Sequence, residues 1–270
     1  MQSLHKDFFY GGIFMFVTLN DGSKMEFDRG TTVAKVAEAI SEGLFRNAVC
    51  GKVDGKLVDL SYSIDHDCAV EIVTLKDKEG LDVYRHTCAH VLAQAVKSIF
   101  PTCRLAIGPV IENGFYYDFD FTTPVTQTDL AKIEEEMKKI IKSDLPIERF
   151  ELSRKEAVKL FKGFKENYKI ELIEDIPDDQ PISCYKQGAF VDLCRGPHLP
   201  STGKIKAFKL TSITGAYWRG NENNKMLTRI YGTAFPKKAE LDDYLVALEE
   251  AKKRDHNKLG RELGLFMTEE

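Results

Sequence analysis

The sequence predicts an α+β protein built in more than one unit. Three observations predict it. Two hairpin signals flank a short amphipathic helix within residues 13–75, a charged connector follows, and a longer run from Leu81 mixes helices with strands. At 270 residues the chain also exceeds one typical domain.

Taken in order, "IFMFVTLNDGSKMEF" reads as two strands joined at Asn20-Asp21-Gly22, which is favoured turn chemistry. "TTVAKVAEAISEGL" is a helix with Thr31 or Thr32 as N-cap and Val33, Val36, Ala37 and Ile40 on one face. "NAVCGKVDGKLVDL" is a second hairpin about Asp54-Gly55, and "CAVEIVTL" a closing strand. This order gives an α+β roll of ubiquitin-like size, and "KDKEG" (76–80) is a charged connector.

Beyond it, "LDVYRHTCAHVLAQAVKSIF" is a helix that Pro101 stops. "NGFYYDFDF" alternates as a strand. "TQTDLAKIEEEMKKIIKSD" is a helix capped by Thr126 or Thr128, with Leu130, Ile133, Met137, Ile140 and Ile141 inward. "SRKEAVKLFKG" reads as a helix, "YKIELIEDI" as a strand and "CYKQGAFVDLC" as a hairpin about Gln187-Gly188. "IKAFKLTSITGAYWRG" and "KMLTRIYGTAF" are strands joined at Asn221 to Asn224, and Pro236 opens a final helix.

No apolar run approaches the roughly 18 to 20 residues of a membrane helix, and the start lacks the marks of a secretory signal. The six cysteines are scattered without a C-x-x-C pair, the pattern of reduced intracellular thiols, so a cytoplasmic protein is expected. A net charge of -4 means that any nucleic acid must be attracted by a local patch.

Two motifs carry chemistry. His86 and His90 stand four apart on one helix, so both rings leave the same face; this suits two ligands of one metal or two groups converging on one substrate. In "DLCRGPHLPSTG", Cys194 and His198 bracket an Arg-Gly-Pro turn that lets both side chains point one way. Three of the chain's six histidines fall in these two motifs.

"RHTCAHVLAQAV", "AIGPVIENGFYYDFD", "VDLCRGPHLP", "GAYWRGNENNKMLTRIYGTAF" and "AKKRDHNKLGRELGLF", in this order, resemble the amino-terminal half of the threonyl-tRNA synthetase family. The small roll resembles that family's TGS domain, a β-grasp fold. The resemblance implies an N-terminal extension over 1–14, a TGS domain over 15–76, an editing domain over 77–235 and a linker helix over 236–270. It implies that the class II core, with ATP, magnesium and a threonine-selecting zinc, lies beyond Glu270, so this chain itself needs no cofactor and does not aminoacylate. The full-length family member is expected to be a homodimer.

The implied activity is hydrolysis of the seryl ester on the acceptor end of tRNA(Thr). Serine lacks one methyl of threonine, and such a difference gives only about 1–3 kcal/mol of discrimination, so a second hydrolytic sieve is needed. By matching motif, the catalytic set is His86, His90, Lys169, Asp192, Cys194 and His198, with His86 activating water and Lys169 steadying the ester or ribose. Tyr117 is implied as a pocket residue. Tyr217, Trp218 and Arg219, with Lys225 and Arg229, form an aromatic and basic run that either faces tRNA or makes a stabilising sheet face. Lys252, Lys253 and Arg254 read as a solvated helix face. The same four His and Cys residues are a possible zinc set, as in alanyl-type editing proteins, but the threonyl resemblance implies a metal-free site. The competing readings are a non-catalytic RNA-binding TGS module and an alanyl-type deacylase.

Overall fold

A computed structural model describes residues 14–253. β1 (Phe14–Thr18) and β2 (Lys24–Asp28) pair antiparallel with Phe14 opposite Asp28, so Phe14, the last residue of the expected extension, is part of this sheet. After β3 (Thr31–Thr32), the Thr32 hydroxyl accepts the Lys35 N–H and caps α1 (Val33–Ile40). The single helix expected here is two. Ser41 ends α1 in an extended conformation and its hydroxyl accepts the Leu44 N–H to start α2 (Glu42–Asn47). β4 (Ala48–Val53) and β5 (Lys56–Val58) turn at Asp54-Gly55, where both residues adopt the positive φ that the tight hairpin demands. β6 (Ser63–Ile64) pairs with β3, and β7 (Cys68–Thr74) completes a sheet of order β2-β1-β7-β4-β5. β1 and β7 run parallel inside it, and Val33, Val36 and Ala37 of α1 bury against Met15, Val17 and Val70. This is the expected ubiquitin-like roll.

The expected charged connector is partly helical. α3 (Lys78–Ile99) starts before Leu81, and Gly80 is buried in its first turn. A Cβ on Gly80 would lie 1.9 Å from the Thr74 carbonyl oxygen, so only glycine lets the helix sit on the end of β7. From Val83 to Val96 the helix is buried almost without interruption. Val49, Cys50 and Val73 of the first unit share its apolar cluster with Phe115, Phe119 and Ile230 of the second. One core therefore joins the two units.

β8 (Arg104–Leu105) and β9 (Val110–Ile111) flank β10 (Gly114–Asp120), which is covered on both faces. α4 (Asp129–Lys142) buries Leu130, Ile133, Met137 and Ile140, with Ile141 packed at the edge. Its start is held by Asp129, whose carboxylate accepts the Thr126 N–H and hydroxyl, and not by a Thr128 cap. β11 (Ile147–Leu152) leads to α5 (Arg154–Gly163), opened by a Ser153–Glu156 capping box.

"NYKIELIE", expected as a strand, is α6 (Asn167–Glu174). Its apolar residues fit a period of 2 as well as pairs four apart, and packing decides: Tyr168, Lys169 and Ile173 are buried on the helix. β12 (Ile182–Gln187) and β13 (Phe190–Leu193) form the expected hairpin, and β12 pairs with β11 on its other side. β14 (Ala207–Tyr217) and β15 (Met226–Phe235) form a long hairpin in a sheet of order β14-β15-β10-β8. The expected strand through Arg219 stops at Tyr217, because residues 218–220 make a 3-10 turn with Arg219 at φ 56. α7 (Lys238–Lys253) closes the described chain; Arg254 and the rest of the expected linker helix lie outside the described residues. Among the described residues no helix is long and apolar enough to cross a membrane.

Candidate functional site

The two motifs form one cluster. α3 aims His86 and His90 toward the loop after β13, where Cys194 and His198 stand, and the four ligand-type atoms all lie within 4.8 Å of one another. His90 and His198 are buried, whereas His86 and Cys194 remain partly exposed. The loop reaches this position because Gly196 takes φ 68 and presses against the Tyr185 hydroxyl, which a Cβ there would overlap.

Hydrogen-bond accounting assigns the tautomers. The Thr87 hydroxyl gives its one proton to the Val83 carbonyl at 2.8 Å, so its oxygen accepts from Leu199 N–H at 3.0 Å and from His198 Nδ1 at 3.2 Å. His198 Nε2 is then a bare acceptor, 3.3 Å from Cys194 Sγ. The His86 ring bonds the Pro197 carbonyl, which can only accept, and its Nε2 faces Cys194 Sγ at 3.3 Å. Burial pushes the Cys194 thiol up to about 12, so it carries one proton for two imidazole lone pairs. The two contacts are equal in length, so either imidazole can take that proton, and the other keeps a free lone pair.

Burial also holds the rings neutral. It lowers His86 to about 4 and His90 to about 3, and depresses His198 well below its ordinary value.

A second, charged layer lies behind. Lys169 projects from α6, not from a strand, and its ammonium sits 2.5 Å from Asp192 Oδ1 and donates to the Tyr117 hydroxyl at 2.9 Å. Tyr117 donates to Asp192 Oδ2 at 2.6 Å, closing a buried triangle. Burial would raise the Asp192 carboxyl, but Lys169 and then His90 outweigh it and hold it below its ordinary value. His90 Nε2 stands 3.8 Å from Asp192 Oδ2, which links the triangle to the imidazoles. An ammonium has three N–H bonds, so Lys169 keeps one donor beyond these two contacts.

The other expected substrate residues are elsewhere. Trp218 is buried with Ala106, Tyr168 and Leu227, and its indole donates to Glu171 at 2.8 Å. Arg219 pairs with Asp175 at 2.7 Å, and Tyr217 is exposed. Lys225 pairs with Asp120, and Arg229 grips Asp118 while lying over the Tyr116 ring. Lys253 is exposed on α7. Arg229, on β15, makes contacts of a sheet face, whereas Trp218 packs from the 3-10 turn after β14.

One Cys and three His are a proper donor set for zinc. They would hold a structural ion, since all four positions of a tetrahedron are filled and none is open for water. A spread of up to 4.8 Å also exceeds the roughly 3.4 Å edge of a tetrahedron with zinc–ligand bonds near 2.1 Å. The set fits a closed ion by type and does not fit a hydrolytic one.

The TGS domain family matches residues 15–74, and the family described as "Threonyl and Alanyl tRNA synthetase second additional domain" matches residues 182–231. The chain matches the TGS and editing region of threonyl-tRNA synthetase. It is 61% identical over 254 residues to a threonine–tRNA ligase of Desulforamulus reducens, covering 94% of this chain and 40% of the relative. It is 60% identical to the ligase of Acetivibrio thermocellus, over 93% of this chain and 39% of the relative, and 60% identical to that of Clostridioides difficile, over 94% and 40%. The chain thus spans about 40% of the length of these threonine–tRNA ligases.

Sequence reasoning missed two residues of this synthetase-like site. Asp59, in the TGS unit, accepts the His198 backbone N–H at 2.9 Å and the Tyr185 hydroxyl at 2.7 Å. Thr87 sets the His198 tautomer. Thr87 lies within the His-x-x-x-His motif, but Asp59 is 139 residues from His198 and no local pattern signals it.

Proposed function

We propose that this chain is an aminoacyl-tRNA deacylase that hydrolyses the seryl ester of mischarged tRNA(Thr). The observation that carries the reading is the assembly of both motifs into one partly open cluster, with neutral imidazoles and a buried Lys169–Asp192–Tyr117 triangle behind them. Ester hydrolysis needs a base that is unprotonated near neutral pH, and burial keeps all three histidines so. We assign His86 as the base: among the three clustered imidazoles it is the partly exposed one, and its Nε2 is free for water when the Cys194 proton goes to His198. Water held at that nitrogen gives it a proton while attacking the ester carbonyl. The tetrahedral intermediate then breaks its bond to the ribose oxygen, which takes that proton from His86, releasing serine and the free terminal hydroxyl. Cys194 and His198 shape the wall, and His198 is fixed by Thr87. Lys169, with its remaining N–H, meets the developing oxyanion or the ribose, while Asp192 keeps the ammonium in place. Metal takes no part in these steps.

The TGS and second-additional-domain matches support tRNA as the partner. In the full-length protein we place ATP, magnesium, threonine-selecting zinc and the dimer contacts in a separate catalytic core that ligates threonine to tRNA(Thr). A non-catalytic TGS module would not need the assembled cluster, and the TGS unit sets the chain apart from alanyl-type deacylases. The test is deacylation of purified Ser-tRNA(Thr) beside Thr-tRNA(Thr) and Ser-tRNA(Ala). Rapid loss of serine from tRNA(Thr) alone is expected. Absence of turnover points to the module, and preference for Ser-tRNA(Ala) to the alanyl-type enzyme.

A further inference from the structure

On another face of α3 lies a cavity of about 720 Å³, bordered by the helix's first turns and the loop at Glu112 and Asn113. Arg85 lines it. This side chain is only 7% exposed, yet its Nε has no hydrogen-bond partner and no carboxylate pairs with it among the described residues. Its one polar contact is a long 3.5 Å approach of Nη2 to Asn113 Oδ1, with the guanidinium 5.7 Å above the Phe235 ring. A buried cation without a partner is costly, and an anion arriving there would recover that cost. Lys76 and Lys78 stand on the same wall, both exposed and without ion pairs among the described residues. Asp82 and Glu112 line it too, so three cations face two carboxylates. The N-terminal end of a helix of 22 residues adds a positive partial charge.

We propose that this cavity is an anion subsite, in which Arg85, Lys76 and Lys78 bind a backbone phosphodiester of the RNA whose esterified end enters the histidine cluster. The inference rests on the deacylase reading and adds a binding site to it. Three observations favour a phosphodiester. The overall charge of -4 repels a polyanion, so affinity must come from a local group of unpaired cations such as this one. A guanidinium with free N–H bonds matches phosphate oxygens in geometry as well as charge. Arg85 also directly precedes His86, and successive side chains on a helix diverge by about 100°, which puts the two sites on the order of 10 Å apart. A strand with its terminal ester at His86 passes that distance with a nearby phosphate.

The experiment uses this chain with two substrates: a seryl-charged acceptor-stem microhelix, and 3′-seryl-adenosine, which has no phosphodiester. Arg85→Gln and the exposed double variant Lys76→Ala/Lys78→Ala are compared with the parent. Each is expected to raise KM for the microhelix about tenfold, and to reduce the slope of log affinity against log salt by about 0.7 for each charge removed. Turnover of seryl-adenosine reports whether the ester site is intact. Should Arg85→Gln lose that turnover through misfolding, the double variant decides. Unchanged KM and salt slope overturn the subsite. So does a drop in thermal stability of Arg85→Gln with RNA affinity unaltered, which would make the guanidinium's partner a carboxylate of the protein. Failure of the parent to hydrolyse either substrate instead removes the deacylase reading, and the microhelix affinity and its salt slope then test the subsite by themselves.

Discussion

Asp59 Oδ1 accepts the backbone N–H of His198 at 2.9 Å, so a carboxylate of the TGS unit holds the loop that carries half of the candidate site. Its Oδ2 accepts the Tyr185 hydroxyl at 2.7 Å, and Tyr185 in turn lies against Gly196 and the His198 ring. The small unit is therefore a structural wall of the candidate site.

Asp59→Ala removes both bonds and leaves His198 N–H without an acceptor. Deacylation is expected to fall about 10- to 100-fold, in the range typical of losing a group that orients a functional side chain. Asp59→Asn keeps an acceptor for His198 and offers an N–H to the Tyr185 oxygen, so it should retain more activity. The ratio of the two rates is the measurement. Equal losses, or none, would separate the TGS unit from catalysis.

His86→Ala should lower deacylation by the roughly 10²–10⁴-fold expected on losing a general base, with little change in tRNA affinity. Single-turnover rates on Ser-tRNA(Thr), with binding measured separately, make the distinction. A variant as fast as the parent would pass the role to another residue.

The His86–His90 and Cys194–His198 pairs were legible because each is local: a helical period or one turn brings its members together. Their union into one site needed the family resemblance, since nothing in the spacing says that residues a hundred apart meet. The TGS hairpins were legible from Asp54-Gly55 and Asn20-Asp21-Gly22, where turn chemistry fixes register. α6 was not, because "NYKIELIE" fits two periods and only burial of Tyr168 and Ile173 chooses between them. Trp218 and Arg229 read equally as an RNA face or a sheet face because aromatic and basic types alone do not show which way a side chain points. Asp120, Asp118 and Glu171, which occupy them or their neighbours, are scattered along the sequence.

The neutral histidines should make stability fall on mild acidification. Burial depresses the folded values of His86, His90 and His198, while in the unfolded chain each titrates near 6.5. Between about pH 6.5 and 4 the unfolded state therefore binds protons that the folded state refuses, and stability is lost as pH falls. The loss is on the order of 2 kcal/mol per buried histidine by pH 5. Asp192 adds its own loss only below about pH 4, since its folded value is lowered. Exposed His66, raised by Asp65, acts weakly in the opposite sense. Urea titrations at pH 7 and pH 5 check this, with His90→Gln expected to flatten the dependence. Equal stability of the parent at both pH values would contradict the assignment.

Deacylation is expected to survive removal of metal. Cys194 and the three histidines can close around a zinc ion, but such an ion would take the His86 lone pair that activates water and would leave no open position of its own. Closing the set would also draw together atoms that now spread to as much as 4.8 Å, against the His198–Thr87 and His86–Pro197 bonds that orient the rings. A bound ion should therefore inhibit. The measurement is Ser-tRNA(Thr) hydrolysis before and after exhaustive chelation, with metal content determined on the same samples, followed by titration with zinc. Full activity in metal-free protein and declining rates as zinc is added are the expected results. Activity that disappears with the chelator and returns at one zinc per chain would make the cluster a metal centre and require a different base.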